Sequence, residues 1–482
     1  MKRVLLLTTS AMPMSVLLAV LGVVLFDGAN WGLNVPLFTL ACYLTTLSAM
    51  HARDGVPSRE TVTAGLLAVC WAGVFIWRDS PVLHWLAGFA IAAILYCVYL
   101  KREFGMLSMP VSSVFTRLPP VARAFALGPL CAIRQELYGR NGRASMHASH
   151  AVAIARGVAL SVPLLVVFGW LLISADTRFA ELTWRLLDLD FVSLLRQTLV
   201  FSVCFWIAIF LLRARVVQVG ARSPARRLVP QPLEVVTALV LLDALLAIYM
   251  AVQSTYFVGG DALVRSSQPL TYAQYARQGF FELLAVAGLT VPLLLVADWV
   301  CEKSPLHVRA MQRVASMATT ALIMLIGFSA AHRLALYTQA YGLTELRLYA
   351  GAALIWTMIL LVWIAWTLAR NARERFLAGA FVSALSIIAA LVLINPDARI
   401  AQINLARAAS GQPLDVDYLL SLSADAVPAI ATARGRLPRA QRMSVEHALF
   451  LRRLAFRPPP WQGWNWAQVR ANRVSFAAPA MD

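Results

Sequence analysis

The sequence predicts an all-α protein built from membrane-spanning helices. Of its 482 residues, 60% are hydrophobic and only 14% are charged, and the mean hydropathy is +0.69. Apolar stretches of roughly twenty residues, the length a helix needs to cross a hydrocarbon core of about 30 Å, recur along the chain. Polar gaps separate these stretches, and arginine is concentrated in every second gap. This composition excludes a soluble protein.

We predict about eleven spans from these stretches. They cover residues 6–26, 31–50, 61–77, 81–100, 157–174, 191–212, 233–255, 279–298, 314–331, 347–368 and 376–394. The net charge of +18 does not indicate a nucleic-acid partner. A nucleic-acid footprint gathers basic residues on one soluble face, whereas here they lie mainly in the gaps between spans.

The gaps predict the orientation of the chain, because Lys and Arg in short loops resist translocation. Gap 101–156 holds eight basic residues against two acids, and gap 213–227 holds five arginines and no acid. The intervening gaps are short or balanced in charge, with Asp27 in one and the pair at 78–79 in another. The N-terminus is therefore expected inside and the C-terminus outside.

Four domains follow from this plan. Residues 1–100 hold four spans, 101–156 form a basic cytoplasmic loop, 157–394 hold a core of seven spans, and 395–482 form an outer helical tail. Arginines beside apolar residues in the cytoplasmic loop favour contact with anionic lipid headgroups or with an unknown protein partner. Both alternatives remain open.

Capping residues predict the helices of the tail. Asn395 fits an N-cap, Pro396 fits the first helical position, and Gly411 fits the position just past the helix end. A second helix is expected from Asp415 and a third from Ser444.

Asp243 is the most deeply placed acid of the predicted spans, near the bilayer centre. Ionisable groups at this depth are unfavourable unless they face a bundle interior or a wet cavity. Asp243 is a candidate for a proton or cation relay, or for a protonated hydrogen bond between helices. Glu282 and Arg196 enter their spans from the outer side by similar depths, so we expect them to form an ion pair, or part of a ligand site.

A second set of candidate ligand residues gathers at the predicted outer ends of the spans. It consists of Arg277, Arg333, Arg347, Tyr272, Tyr275, Tyr337 and Tyr341. Arginine forks match carboxylate or phosphate geometry, so an anionic headgroup or solute is a candidate ligand. Interfacial anchoring of Arg and Tyr explains the same residues without a ligand. The chain has no P-loop, HExxH, nucleophile elbow or CxxC, so we predict no catalytic residue, metal site or cofactor.

Several segments carry a family resemblance. They read LTYAQYARQGFFEL at 270–283, RLALYTQAYGLTELR at 333–347, SAD at 174–176, NPDARIAQINLARA at 395–408 and LDVDYLLSLSADAVPA at 414–429. Over about residues 157–470 the chain resembles a family of bacterial multi-pass inner-membrane proteins known only as a domain of unknown function. The resemblance implies a bacterial inner-membrane location and a multi-pass plan. It implies no activity.

Three functions fit these observations. The first is a non-enzymatic sensor or scaffold with an outer ligand patch. The second is a solute transporter, although the predicted span 191–212 lacks the Gly or Pro that breaks a binding-site helix in inverted-repeat transporters. The alternative is a membrane-embedded transferase acting on a lipid-linked substrate at the outer leaflet. Only fold analogy favours the transferase.

Overall fold

The computed structural model describes residues 2–54, 57–100, 125, 191–213, 231–258 and 280–474. Within these ranges all regular secondary structure is helical. The α-helices in chain order are α1 (Lys2–Phe26), α2 (Asn34–Asp54), α3 (Arg59–Ala72), α4 (Val74–Trp77), α5 (Pro81–Leu100), α6 (Phe191–Arg213), α7 (Pro232–Val258), α8 (Phe280–Val300), α9 (Leu306–Tyr341), α10 (Glu345–Ala369), α11 (Phe376–Ile394), α12 (Pro396–Ala409), α13 (Val416–Ser421), α14 (Val427–Ala433), α15 (Arg439–Ala455) and α16 (Trp466–Arg473). Short 3₁₀ turns cover Arg373–Arg375, Ala424–Ala426, Arg434–Arg436 and Trp461–Gly463. The predicted all-α class is confirmed for the described residues.

Seven helices of the described part are long and apolar enough to cross a membrane, so the chain is an integral membrane protein. They comprise Asn34–Ala52, Arg59–Trp77, Pro232–Ala251, Phe280–Val300, Leu306–Tyr341, Glu345–Ala369 and Arg373–Ile394. Three shorter apolar helices, Pro13–Phe26, Pro81–Tyr96 and Arg196–Leu212, coincide with other predicted spans. The predicted span 157–174 lies outside the described residues. The total of eleven spans and the orientation of the termini stay predictions.

Helix α9 is longer than its predicted span of 314–331. It runs for 36 residues, which corresponds to about 54 Å and exceeds a hydrocarbon core of about 30 Å. Pro305 precedes its first turn, and Gly342 with a φ of 81° ends it. The apolar stretch marked only the part that matches the bilayer, whereas backbone hydrogen bonding continues through the polar turns at both ends.

The described helices belong to two compact units. The first holds α1, α2, α3 and α6 together with Pro458–Trp464. In its core α1 packs along α6 and α2, burying Leu18, Phe38 and Cys204. The second unit holds α5 and α7 to α16. The four domains derived from spans and loops remain a prediction.

Helix α9 is central to the spans of the second unit, where it packs against α7, α8 and α10. Ile323 and Ile326 on α9 and Leu361 and Ile364 on α10 are at most 1% exposed. The buried Thr320 of α9 is satisfied within the helix, because its hydroxyl donates a hydrogen bond to the Ser316 carbonyl at 2.7 Å. The face of α9 that carries Ile323 and Ile326 is therefore closely packed and apolar.

The tail of the second unit has its own apolar core, which α12, α13, α14 and α15 share. Asn395 caps α12 by accepting a hydrogen bond from the Ala398 N–H group, with Pro396 in the first turn. Gly411 has a φ of 88°, and Asp415 caps α13. These predicted caps are confirmed.

The predicted start of the third tail helix at Ser444 is wrong. Helix α15 begins at Arg439, directly after Pro438. Pro438 holds an extended backbone (ψ of 147°) before the first turn. The residues that follow it are good helix formers, so the helix begins there and not at the later cap-like Ser.

Candidate functional site

The loop between α9 and α10 is held by side chains of the tail. Leu343 donates its backbone N–H to Asn404 Oδ1 at 2.9 Å, and Asn404 Nδ2 donates to the Leu343 carbonyl at 2.8 Å. Arg407 donates to the Ala340 carbonyl at 2.9 Å, capping the end of α9. Tyr418 accepts a hydrogen bond from the Glu345 N–H at 2.8 Å. We call Asn404, Arg407 and Tyr418 the loop clasp.

The local sequence explains why the loop fits this clasp. Gly342 has a φ of 81°, a conformation that L side chains rarely adopt. A Cβ at this position would lie 2.5 Å from an Arg407 nitrogen and 2.6 Å from Asn404 Oδ1. Thr344 then caps α10 by accepting a hydrogen bond from the Arg347 N–H. Burial raises the pKa of Tyr418, so its hydroxyl remains protonated and neutral beside the loop.

Part of the predicted arginine and tyrosine patch is assembled at the same place. The Arg347 guanidinium carbon lies 3.9 Å from the centre of the Tyr337 ring and 6.0 Å from that of Tyr341. The two rings are 5.3 Å apart in an edge arrangement. Arg347 also donates a hydrogen bond to the Gly342 carbonyl. Arg333 lies one turn before Tyr337 on α9 and is 8% exposed.

These contacts give the patch a structural role at the end of α9, because cation–π stacking orders Arg347 without a ligand. The other predicted members, Tyr272, Tyr275 and Arg277, lie outside the described residues. Binding of a ligand by the patch stays a prediction.

Arg78 is the centre of a second set of contacts. Its Nε donates to the Val392 carbonyl at 2.9 Å, and one terminal nitrogen lies 3.1 Å from Asp425 Oδ1. The other terminal nitrogen points to the Leu393 carbonyl at 3.5 Å. The last carbonyls of a helix lack partners within the helix, and a cation there also complements the helix dipole. The Arg78 side chain therefore both caps the end of α11 and binds the tail.

Asp79 extends this network, because it both donates a hydrogen bond to the tail and accepts others from it. Its N–H donates to Asp425 Oδ2 at 2.7 Å, while its own carboxylate accepts from the Ala424 N–H at 3.1 Å and from Gln468 Nε2 at 2.9 Å. Asn465 donates to the Arg78 carbonyl at 2.7 Å. Burial raises the pKa of Asp425, and the hydrogen bond from Asp79 and the charge of Arg78 oppose that rise. We call Arg78, Asp79 and Asp425 the buried node.

A buried carboxyl pair adjoins the buried node. Asp397 is 0% exposed and accepts a hydrogen bond from the Ser423 hydroxyl. The Glu345 carboxyl lies close enough to interact with it directly. Burial raises the pKa of Asp397, and the Ser423 hydrogen bond opposes the rise. Two carboxyls this close do not both ionise readily, so the pair favours holding a proton.

A cleft of about 520 Å³ opens in the tail beside the buried node. Residues of α12, α14 and α16 line it, and it carries three arginines, Arg399, Arg436 and Arg470. Asp425 is the carboxylate of its lining, and Arg78 already binds that carboxylate. Arg470 Nε is buried and has no hydrogen-bond partner among the described residues. We call this the arginine cleft.

Sequence reasoning missed the arginine cleft and the buried node. Arg78 and Asp79 are predicted only as part of a charge-balanced gap, and no role is predicted for the tail arginines. A signal was present in the acids of the tail: Asp397 and Asp425 both stand in short segments quoted for the family resemblance and flanked by apolar residues. The partner of Asp425, Arg78, is 347 positions away in the sequence, so the sequence alone does not reveal this pairing.

The other predicted residues lie apart from these contacts. Asp243 on α7 accepts a hydrogen bond from the Thr319 hydroxyl at 2.6 Å. Arg196, in the first unit, forms a salt bridge with Asp27, its Nε lying 2.7 Å from Oδ1. Asp27 is not the partner predicted for Arg196. Glu282 is an exposed residue of α8 in the second unit, and its pairing with Arg196 stays a prediction.

Comparison with known proteins gives a family and no closer relative. Residues 61–433 match the family described as Domain of unknown function (DUF4153). The match begins well before residue 157, where the resemblance was expected to start, and it includes the buried node and the loop clasp. No curated protein and no solved structure matches the chain. The protein therefore belongs to the family of DUF4153, a domain of unknown function.

Proposed function

We propose that this protein is a non-enzymatic sensor or scaffold that binds an anionic ligand in the arginine cleft of its tail. The observation that carries the proposal is the uncompensated charge of the cleft. Arg399, Arg436 and Arg470 line it, while its carboxylate, Asp425, is neutralised by Arg78. An anion would supply the missing negative charge.

The chemistry of the cleft favours a phosphate or carboxylate group. Guanidinium groups bind such oxyanions through paired hydrogen bonds. A volume of about 520 Å³ lies within the range of about 300–1,000 Å³ that is typical of small-molecule sites. The buried Nε of Arg470 has already lost its water contacts, so a bound oxyanion would restore a hydrogen bond that the described residues do not provide.

Asp425 connects the cleft to the spans, which supports a sensing role. Its carboxylate lines the cleft and binds Arg78, and Arg78 caps α11 at Val392. A ligand that alters the charge around Asp425 would change the strength of the Arg78 bond. The loop clasp joins the same tail to α9 and α10. The tail and the adjoining ends of α9, α10 and α11 therefore respond together.

Transport receives less support from the described helices. Asp243 binds Thr319, and Arg333 lies fourteen residues further along α9, a separation of about 21 Å at the helical rise. Between them Ile323, Ile326 and Ala330 are at most 1% exposed. Packed apolar side chains on this face do not favour a polar path from Asp243 to the end of α9.

A transferase acting on a lipid-linked substrate also receives less support. Such chemistry needs a carboxylate that can act as base or nucleophile at the binding site. Asp425, which borders the cleft, is 1% exposed and committed to Arg78 and to the Asp79 N–H group. The cleft thus offers binding groups without a free base beside them.

The location of this function follows from the arginine distribution of the sequence. We place the protein in the bacterial inner membrane with the N-terminus inside and the tail outside. The basic segment 101–156, outside the described residues apart from Phe125, would then face the cytoplasm. We assign to it the binding of anionic headgroups or of a protein partner that receives the signal.

Phosphate binding by the full-length protein tests the proposal. The protein is reconstituted in phosphatidylcholine nanodiscs and titrated with inorganic phosphate, with chloride at matched ionic strength as reference. The midpoint of thermal unfolding is measured, because a ligand that binds only the folded state raises it. The cleft variant combines Arg399→Gln, Arg436→Gln and Arg470→Gln. A matched variant combines Arg439→Gln, Arg442→Gln and Arg453→Gln, three exposed arginines of α15.

We expect phosphate to raise the midpoint of the wild type and of the matched variant. In the cleft variant the phosphate concentration needed for the same shift should rise at least about tenfold, since charged hydrogen bonds contribute about 1.5–3 kcal/mol each. An equal response of the cleft variant and the matched variant would refute the proposed site. So would a wild type that responds to chloride as strongly as to phosphate.

A further inference from the structure

A membrane-facing groove runs between α10 and α11, at the opposite end of these helices from the tail. It encloses about 940 Å³, and its lining is apolar except for Arg375 and Ser383. Ile359, Val362 and Val382 line it and are 40%, 56% and 60% exposed. Both helices are long and apolar enough to span a membrane, so these side chains face hydrocarbon.

The walls of the groove are fixed by specific contacts. Trp363 donates its indole N–H to the Phe376 carbonyl at 3.2 Å and stacks on Trp366 at 4.8 Å. A Cβ at Gly379 would lie 2.1 Å from the Trp363 ring, so only glycine lets the ring approach α11 this closely. The groove is therefore a preformed shape in the surface of two packed helices.

Charge is concentrated at one end of the groove. Arg375 lines the groove and also lines a second, polar cavity of about 820 Å³ beyond it. That cavity holds four arginines and three acids, namely Arg309, Arg370, Arg373, Arg375, Asp298, Glu302 and Glu374. Arg373 is already paired with Asp298 at 3.0 Å. Arg370 and Arg375 are exposed and form no ion pair within the described part of the chain.

Tryptophan side chains mark the depth of this cavity. Trp299 and Trp366 line it and are 51% and 37% exposed. Exposed tryptophan at helix ends is typical of the headgroup level of a bilayer. An apolar groove with a shape suited to an acyl chain thus ends at cationic side chains, at the depth where a lipid carries its phosphate.

We propose that this groove binds an anionic phospholipid. One acyl chain lies along Val362, Gly379 and Val382, and the phosphate is bound by Arg375 with Arg370 beside it. The arginines at the end of the groove select an anionic lipid over a zwitterionic one, because a choline headgroup would bring a cation close to them. The site is separate from the arginine cleft, and it stands whether or not the cleft binds an anion.

Lipid retention by the purified full-length protein tests this site. The protein is purified in mild detergent, incubated with equal amounts of phosphatidylglycerol and phosphatidylcholine, and analysed by native mass spectrometry for each bound lipid. Arg375→Gln removes the charge, and Val382→Trp fills the groove from its exposed side. Arg453→Gln, at an exposed tail position, is the matched charge control. Leu393→Trp is the matched bulk control, because Leu393 is 68% exposed on α11 three turns beyond Val382.

We expect the wild type and both controls to retain phosphatidylglycerol in preference to phosphatidylcholine. Arg375→Gln should weaken phosphatidylglycerol retention at least about tenfold, the factor expected for one charged hydrogen bond. Arg375→Lys should restore part of it, and Val382→Trp should lower retention of both lipids. Size-exclusion profiles and thermal midpoints equal to the wild type show that the variants are folded. Equal retention of the two lipids by the wild type, or retention unchanged by both groove variants, would overturn the proposal.

Discussion

Arg78 and Asp425 form a salt bridge of 3.1 Å in which the two side chains are only 5% and 1% exposed. The residues are 347 positions apart in the sequence. Arg78 also caps the end of α11, so this one pair joins a transmembrane helix to the tail. A buried pair depends on both partners, because either one alone is a charge without water or counter-ion.

The first prediction is that Arg78→Met strongly destabilises the tail. The change leaves Asp425 buried without its cation and removes the cap from the Val392 carbonyl. Breaking such a pair typically lowers the free energy of unfolding by about 3–5 kcal/mol. The thermal midpoint of the detergent-purified protein and the rate of proteolytic release of the tail measure the effect.

An exposed pair of the same tail serves as control. Arg442 lies 3.1 Å from Glu446 and is 50% exposed, so Arg442→Met should change the stability by about 1 kcal/mol or less. The double variant Arg78→Met with Asp425→Leu should be less destabilised than Arg78→Met alone, since no lone charge remains. Equal losses in Arg78→Met and Arg442→Met would contradict the role given to the buried pair.

The second prediction concerns the loop clasp. Asn404→Leu removes both hydrogen bonds to Leu343 and leaves its N–H and carbonyl unpaired in a partly buried loop. Unpaired buried polar groups cost about 1–3 kcal/mol each. We expect a lower thermal midpoint and faster protease cleavage between α9 and α10. Gln412→Leu, at an exposed position of the tail, should leave both unchanged. A clasp variant that resists protease as well as the control does would show that the loop is held by other contacts.

The third prediction is a pH dependence centred on Asp397. Burial raises its pKa, so the folded state holds the proton more tightly than the unfolded state. Between the ordinary and the raised pKa the folded state carries more protons, and stability therefore falls as the pH rises through that interval. Acidification from neutral pH should stabilise this part of the tail. The groups that face Asp397 are Glu345, Ser423, Ser80, Tyr349 and Asp425.

Asp397→Asn tests the predicted direction of this pH dependence. The amide cannot ionise but can still accept the hydrogen bond from Ser423, so the variant should be more stable than the wild type at neutral pH. Its thermal midpoint should also depend less on pH. Asp417→Asn, an exposed acid of α13, is the matched control and should keep the wild-type profile. A loss of stability in Asp397→Asn at neutral pH would mean that the carboxylate is held in its charged form.

The sequence predicts most of the helices because burial in a bilayer imposes a simple length and polarity rule. The start of α5 at Pro81 and the bounds of α11 coincide with the predicted spans. The predicted caps at Asn395 and Asp415 also hold, since capping depends on residues within one turn. Local chemistry is enough for such features.

The candidate site depends on contacts that local chemistry does not encode. Arg399 and Arg470 stand 71 positions apart and come together only when α12 and α16 pack in one tail. Arg78 has Asp79 as its sequence neighbour, yet its ion pair is with Asp425. A count of charges along the chain treats Arg78 and Asp79 as mutually compensated and so conceals the network.

The last prediction separates a structural from a proton-carrying role for Asp243. Thr319 donates to Asp243 Oδ1 at 2.6 Å, and its hydroxyl also lies 3.0 Å from the Ala315 carbonyl. In Asp243→Leu the Thr319 hydroxyl can turn to Ala315, so no donor is left unpaired. In Thr319→Val the carboxyl loses its donor, and we expect this variant to be less stable than Asp243→Leu by about 1–3 kcal/mol. Thermal midpoints in detergent give the comparison, and Asp243→Asn, which keeps an acceptor oxygen, should match the wild type.

A proton-carrying role requires instead that proteoliposomes of the wild type take up protons along a pH gradient and that Asp243→Asn abolishes this uptake. Because Ile323, Ile326 and Ala330, which lie on α9 between Thr319 and Arg333, are packed and apolar, we expect no such uptake from the wild type.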